Sequence, residues 1–95
     1  MNLKDERKKI NEIDRKILFL LNQRINVSKA IAKIKLEKGL PVFLPEIESK
    51  KINALKKENK KINSGFSEKT LEAIFKEIFS AGKKIQKNLI KGEEK

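Results

Sequence analysis

Arg24, Ser28, Ile31 and Lys35 stand at i, i+4, i+7 and i+11, a spacing that lines them along one face of a helix. Arg24 and Lys35 would then lie about 16 Å apart along the axis. Two cations with a small residue between them could bracket a compact dianion. Further along, Glu48, Gly82 and Gln86 are the other residues whose type and place suggest chemistry. The chain has no Cys and no His, which removes disulfides, thiolate metal sites and the commonest general base. No nucleophile–base pair, metal-ligand spacing, phosphate loop or redox motif occurs. Arg, Lys, Gln and Glu bind and polarise. Such a set suits a reaction needing no covalent or acid–base help, with its rate supplied by placement and electrostatics. No metal and no cofactor is expected.

Each of these residues also has a plainer explanation. Arg24 could be an exposed seam end or pair with a local Glu. Lys35 could snorkel at a helix end, Glu48 could be an ordinary first-turn carboxylate, and Gln86 could hydrogen-bond a neighbouring backbone. Gly82 costs a helix roughly 1 kcal/mol against Ala, which close helix packing would explain as well as room for a ligand.

The element that must position the first set is one long amphipathic helix, Lys4 to Lys38. Ile10, Ile17, Arg24 and Ile31 share one heptad position; Ile13, Leu20, Val27 and Ile34 share the next; Arg7, Asp14, Leu21, Ser28 and Lys35 flank them. The apolar stripe is thus interrupted by Arg24 and ends beside Lys35. Desolvating such cations unpaired costs several kcal/mol, so they reach water or meet an anion. Asp5 and Glu6 suit the first turn; Gly39 is placed to cap the end, with Pro41 after it. Pro45 opens a second helix to about Asn59, with Leu44 as a poor N-cap. Lys60 to Phe66 reads as a polar loop. Ser67 then caps a third helix, with Phe66 and Leu71 placed as a hydrophobic staple and a stripe running to Leu89. A charged tail from Lys91 is expected to fray. The fold class is all-α: three helices (long, short, medium) in a single domain, 1–95.

Apolar residues make 38% of the 95-residue chain and charged residues 39%, a thin core that a second copy would supplement. Positions 7 and 35 are symmetric about Leu21. On one straight helix they are about 42 Å apart, but in an antiparallel two-fold pair centred near Leu21, Arg7 of one chain would face Lys35 of the other. The reading predicts two equivalent sites per homodimer, each shared between chains. Net charge is +11, which suits an anionic partner, yet 21 of the 24 basic residues are lysine and many of them are simply a solvated surface. Arg7, Arg15 and Arg24 carry more information, because arginine binds carboxylates bidentately. There is no membrane-length apolar run and no apolar leader, so the expected compartment is the cytoplasm, with no membrane partner.

The chain resembles the all-helical class of chorismate mutase from Asp5 to about Leu89. The first-helix pattern Arg7-x-x-Ile10-x-x-Ile13-Asp14-x-x-Ile17-x-x-Leu20-Leu21-x-x-Arg24 carries the likeness. Ile31-x-Lys33-x-Lys35 followed by Gly39-Leu40-Pro41-Val42 continues it. The segment Ile74 to Gln86 is similar to the family's last helix, and looks closest to the mutase domains fused to DAHP synthases. The resemblance implies a Claisen rearrangement of chorismate to prephenate, in the shikimate route to aromatic amino acids. It also implies an intertwined helical homodimer. By the same resemblance, Arg24 matches the arginine on one substrate carboxylate, and Arg7 the arginine reaching from the partner chain to the other. Lys35 and Gln86 match the two donors to the ether oxygen, Lys35 also touching a carboxylate. Glu48 matches the holder of the ring hydroxyl, and Gly82 stands where many members have Ser.

Two positions depart from the family's Asp-Pro-x-Arg-Glu at the start of helix two: the Asp is Leu44 and the Arg is Ile47. Lys51, one turn past Ile47, is a candidate substitute for the lost cation. The departures keep other readings open: a weakened mutase, a non-catalytic ligand-sensing relative, or an isochorismate–pyruvate lyase, which shares the fold but keeps that Arg. A nucleic-acid-binding module would need interleaved aromatics or arginine clusters. With five Phe, no Tyr or Trp and its arginines set in seams, the chain is not expected to bind nucleic acid.

Overall fold

The structure is a computed structural model that describes residues 2–94. It has three helices: α1 (Leu3–Glu37), α2 (Pro45–Ile62) and α3 (Glu68–Glu94). None of the helices is long and apolar enough to cross a membrane. The helix start of α1 is fixed by Asn2, whose side chain accepts from the Asp5 N–H at 2.9 Å, with Asp5 and Glu6 in the first turn. Its end is a Schellman motif. Gly39 sits at φ +68°. The Leu40 N–H donates to the Lys35 carbonyl at 2.8 Å and the Gly39 N–H to that of Leu36 at 3.2 Å. A Cβ on Gly39 would meet nothing within 4 Å, so a side chain there is opposed by backbone conformation alone. Gly39→Ala is expected to cost about 1 kcal/mol, read as a lower urea midpoint at unchanged slope; an unchanged midpoint would refute this account of the turn.

Leu44 makes no side-chain cap bond to α2, which begins at Pro45. This helix runs three residues beyond the expected stop near Asn59. Lys60, Lys61 and Ile62 contain no breaker, and the turn comes only at Asn63, in the left-handed region at φ 50°. The loop after it is tied by Asn59, which donates to the Phe66 carbonyl at 3.0 Å and accepts from the Ser64 hydroxyl. Ser67 caps α3 as expected, its hydroxyl oxygen accepting from the Thr70 N–H at 3.1 Å. Leu71 is buried while Phe66 stays half exposed. Helix α3 extends past Lys91, where fraying is expected, to Glu94, and Lys95 lies outside the described residues.

Helix α3 is the middle element, with α1 and α2 both packed on it rather than on each other. The core is small, made of Ala32, Ile52, Leu71 and Phe79. The molecule measures 55 × 27 × 16 Å with a radius of gyration of 16.8 Å, against about 12 Å for a compact chain of this length. The excess is the first half of α1. Every residue from 7 to 20 on it is exposed, including Ile10, Ile13, Ile17 and Leu20, each at 49–60%.

Candidate functional site

A cleft lies where the second half of α1, the 38–44 connection, the start of α2 and the middle of α3 meet. From α1 it receives Arg24, Ser28, Ile31 and Lys35; from α2, Ile47, Glu48 and Lys51; and from α3, Phe79, Gly82, Lys83 and Gln86. The i, i+4, i+7, i+11 face of α1 is therefore the wall of the cleft.

Phe79, buried at 6% exposure, forms the floor. The Arg24 guanidinium carbon lies 5.0 Å from its ring centroid and Lys51 Nζ 5.9 Å from it, both within cation–π range. Phe75 supports the ring from one turn back, with centroids 6.2 Å apart and tilted by 52°. Gly82 is buried beside Arg24, and a Cβ there would lie 3.6 Å from Nη1, ordinary contact distance. The glycine therefore lets α3 come close to the guanidinium without a clash deciding the matter. Lys35 Nζ donates to the Val42 carbonyl at 3.4 Å, a long bond that the Schellman turn sets up by folding the connection back over the helix end. Gln86 Nε2 donates to the Ser28 carbonyl at 3.0 Å. An amide nitrogen carries two hydrogens, so one remains for a ligand. The backbone bond thus orients a donor rather than consuming it.

The electrostatics are unbalanced. Glu48 is the one carboxylate lining the cleft, and it pairs with Lys83 at 2.7 Å. Among the described residues, no carboxylate lies within ion-pair distance of Arg24, Lys35 or Lys51. Arg24 and Lys35 are half-buried. Three cations that line one cleft without a carboxylate partner favour an anion between them. The described residues hold no cluster of three or more His, Cys, Asp or Glu. What the arrangement can do is grip a multiply charged anion and donate hydrogen bonds inside it.

Of the seven residues singled out from the sequence, Arg24, Lys35, Glu48, Lys51, Gly82 and Gln86 converge here. Arg7 does not; it is exposed on the projecting half of α1. Leu44 and Ile47 do line the cleft, so the two departures on α2 fall inside the site. Lys83 and Phe79 were not foreseen as site residues. Their signal was helical: Phe79, Lys83 and Gln86 stand at i, i+4 and i+7.

Comparison with known proteins matches residues 6–87 to the family model described as chorismate mutase type II. The chain is 38% identical over 88 residues to a bifunctional chorismate mutase/prephenate dehydratase of Aquifex aeolicus, covering 92% of this chain and 24% of that protein. It is 48% identical over 46 residues to a chorismate mutase of Methanocaldococcus jannaschii, covering 48% of this chain and 46% of that one. The chain thus spans less than half the length of these curated relatives. Among solved structures, chorismate mutase form II of Thermus thermophilus superposes with a TM-score of 0.83 at 30% identity, covering 90% of this chain and 93% of that one.

Proposed function

The chain belongs to the chorismate mutase type II family, and from that premise we propose that it isomerises chorismate to prephenate, as one helical mutase domain over residues 1–95. The observation that carries the proposal is the convergence of Arg24, Lys35 and Lys51, all unpaired, with the Gln86 amide in one cleft. Chorismate is a dicarboxylate, so its charge matches the unpaired cations. Its rearrangement is concerted: the ether C–O bond breaks as a C–C bond forms, and no proton moves. Such a reaction needs no base or nucleophile, and the site offers none. Negative charge grows on the ether oxygen as the C–O bond lengthens. Lys35 and the spare N–H of Gln86 donate to that oxygen, and a preorganised donor counts most where charge develops. Arg24 and Lys51 hold carboxylates and fold the substrate into its reactive shape.

The substrate's second carboxylate is taken by Arg7 of a second copy, in a homodimer whose two sites are each shared. The exposed apolar seam on the free half of α1 supports this pairing: Ile10, Ile13, Ile17 and Leu20 form a stripe too long to leave in water on an isolated chain.

Lys51 takes over the cationic duty that Ile47 cannot perform. Lys51 is exposed, so Lys51→Ala is expected to leave the melting temperature nearly unchanged while lowering kcat/KM by about ten- to a hundredfold. A wild-type rate in that variant would remove Lys51 from the site.

The test of the function is direct. Incubated with chorismate, the protein should consume its ultraviolet absorbance and yield prephenate. Saturable binding without turnover would favour a second reading, a ligand-sensing relative, for which Ile47 in the cleft wall is the supporting observation.

A further inference from the structure

We propose that Lys83 is a positioning residue: it clamps Glu48 in place across the cleft and thereby leaves Lys51 free for the substrate. The inference rests on the reading of chorismate as substrate. Glu48 sits in the first turn of α2 and can reach two ammonium groups. Lys51 is three residues along the same helix, a spacing at which side chains meet. Lys83 comes from α3. The structure gives the pair to Lys83, with Nζ 2.7 Å from Glu48 Oε1, while Lys51 turns to the Phe79 ring.

Three consequences follow for the site. The clamp ties the start of α2, which has no side-chain cap at Leu44, to the middle of α3. Pairing at Oε1 leaves Oε2 to accept from a hydroxyl of the ligand, and it fixes where that acceptor points. The pair is also neutral, so the one carboxylate in the cleft does not repel a dianion as a lone carboxylate would. Lys83 thus acts through Glu48 rather than on the substrate, and Lys51 stays available for the cationic duty lost at Ile47.

The test compares chorismate turnover by the wild-type chain with that of Lys83→Gln, Lys83→Arg, Glu48→Gln and the Lys83→Gln/Glu48→Gln double variant. Lys83→Gln is expected to raise KM by about tenfold with a smaller change in kcat, because the Glu48 acceptor is no longer held toward the ligand in the ground state. Lys83→Arg restores the wild-type KM to within about threefold, since charge and reach are kept. The double variant is no worse than Glu48→Gln alone, the signature of one residue acting through the other. A wild-type KM in Lys83→Gln, no rescue by Lys83→Arg, or losses that multiply in the double variant would each overturn the inference. A wild-type chain that leaves chorismate untouched would overturn the substrate reading, and this inference with it. Melting curves of the four variants separate any general loss of folding from these outcomes, and Glu48→Gln probes the same clamp from the α2 side.

Discussion

Replacing Lys35 with alanine is expected to lower kcat/KM for chorismate by about a thousandfold or more, with the fold intact. The size follows from the role proposed for Lys35, the charged one of the two donors to the ether oxygen. Lys35 lies at the connection end of the α1 face, eleven residues from Arg24, so Arg24 cannot cover its position. Removing one preorganised donor to a developing oxyanion typically costs about 3–4 kcal/mol of transition-state binding. Here a positive charge facing a dianion goes with it. The structural cost is small by comparison. Lys35 makes one long bond of 3.4 Å to the Val42 carbonyl, and a bond of that kind contributes about 1 kcal/mol or less. Lys35→Gln should fall between, because it keeps a donor but not the charge. Steady-state kinetics beside a melting curve give the answer; a loss of activity matched by a loss of structure would contradict it.

Arg7→Ala is expected to lower kcat/KM by about a hundredfold, although Arg7 is exposed and outside the cleft of its own chain. On a self-sufficient chain, truncating an exposed arginine on a projecting helix should change stability by no more than about 0.5 kcal/mol and leave activity alone. A large kinetic effect with no stability effect has one economical source: the residue works in another molecule's site. Arg7 and Lys35 are about 42 Å apart along α1, so a straight helix cannot bring them together, whereas a two-fold pair centred near Leu21 can. The exposed seam is the physical reason for such a pair. Dilution below the dimer's dissociation constant should therefore reduce specific activity, and Arg7→Ala should not be rescued by raising the concentration of the variant alone.

Much of the fold was legible because the sequence states it locally. Gly39, Pro45 and Ser67 mark helix ends by chemistry that acts within a turn or two, and the structure places an end within two residues of each. The end of α2 was missed because Lys60–Ile62 are compatible with helix, and Asn63 takes the left-handed turn only when Asn59 and Ser64 tie the loop behind it. The α1 wall of the cleft was legible from a cation interrupting an apolar stripe, a pattern whose cost needs an explanation. Lys83 was not. It stands beside Lys84 in a chain with 21 lysines, and nothing local distinguishes it from a solvated surface residue. Its role depends on how α2 leans on α3. Phe79 was legible as a core residue but not as the ring beneath Arg24 and Lys51, since a stripe residue does not announce which cations will cover it. The carbonyls of Ser28 and Val42 were out of reach altogether, because every residue has one.

The departures at Leu44 and Ile47 shape what kind of mutase this chain should be. Both line the cleft, so the start of α2 contributes apolar surface where the family places an acid and an arginine. The cations that remain are distributed over all three helices: Arg24 and Lys35 on α1, Lys51 on α2, and Lys83, through Glu48, on α3. Lysine is a point charge on a flexible stem and arginine a rigid fork. A site that relies on lysines should bind the dianion well but hold it less tightly in the reactive geometry. The cost would fall on kcat more than on KM.

The central claim is that two chains build each site together, and subunit mixing tests it most directly. Arg7→Ala and Lys35→Ala proteins are each made, mixed in equal amounts, unfolded and refolded together. Random pairing gives about half heterodimers, each with one site carrying both Arg7 and Lys35 and one carrying neither. The two parents are expected to be nearly inactive and the mixture to recover about a quarter of wild-type chorismate turnover. A mixture no more active than the sum of its parents, with exchange of chains verified, would contradict it.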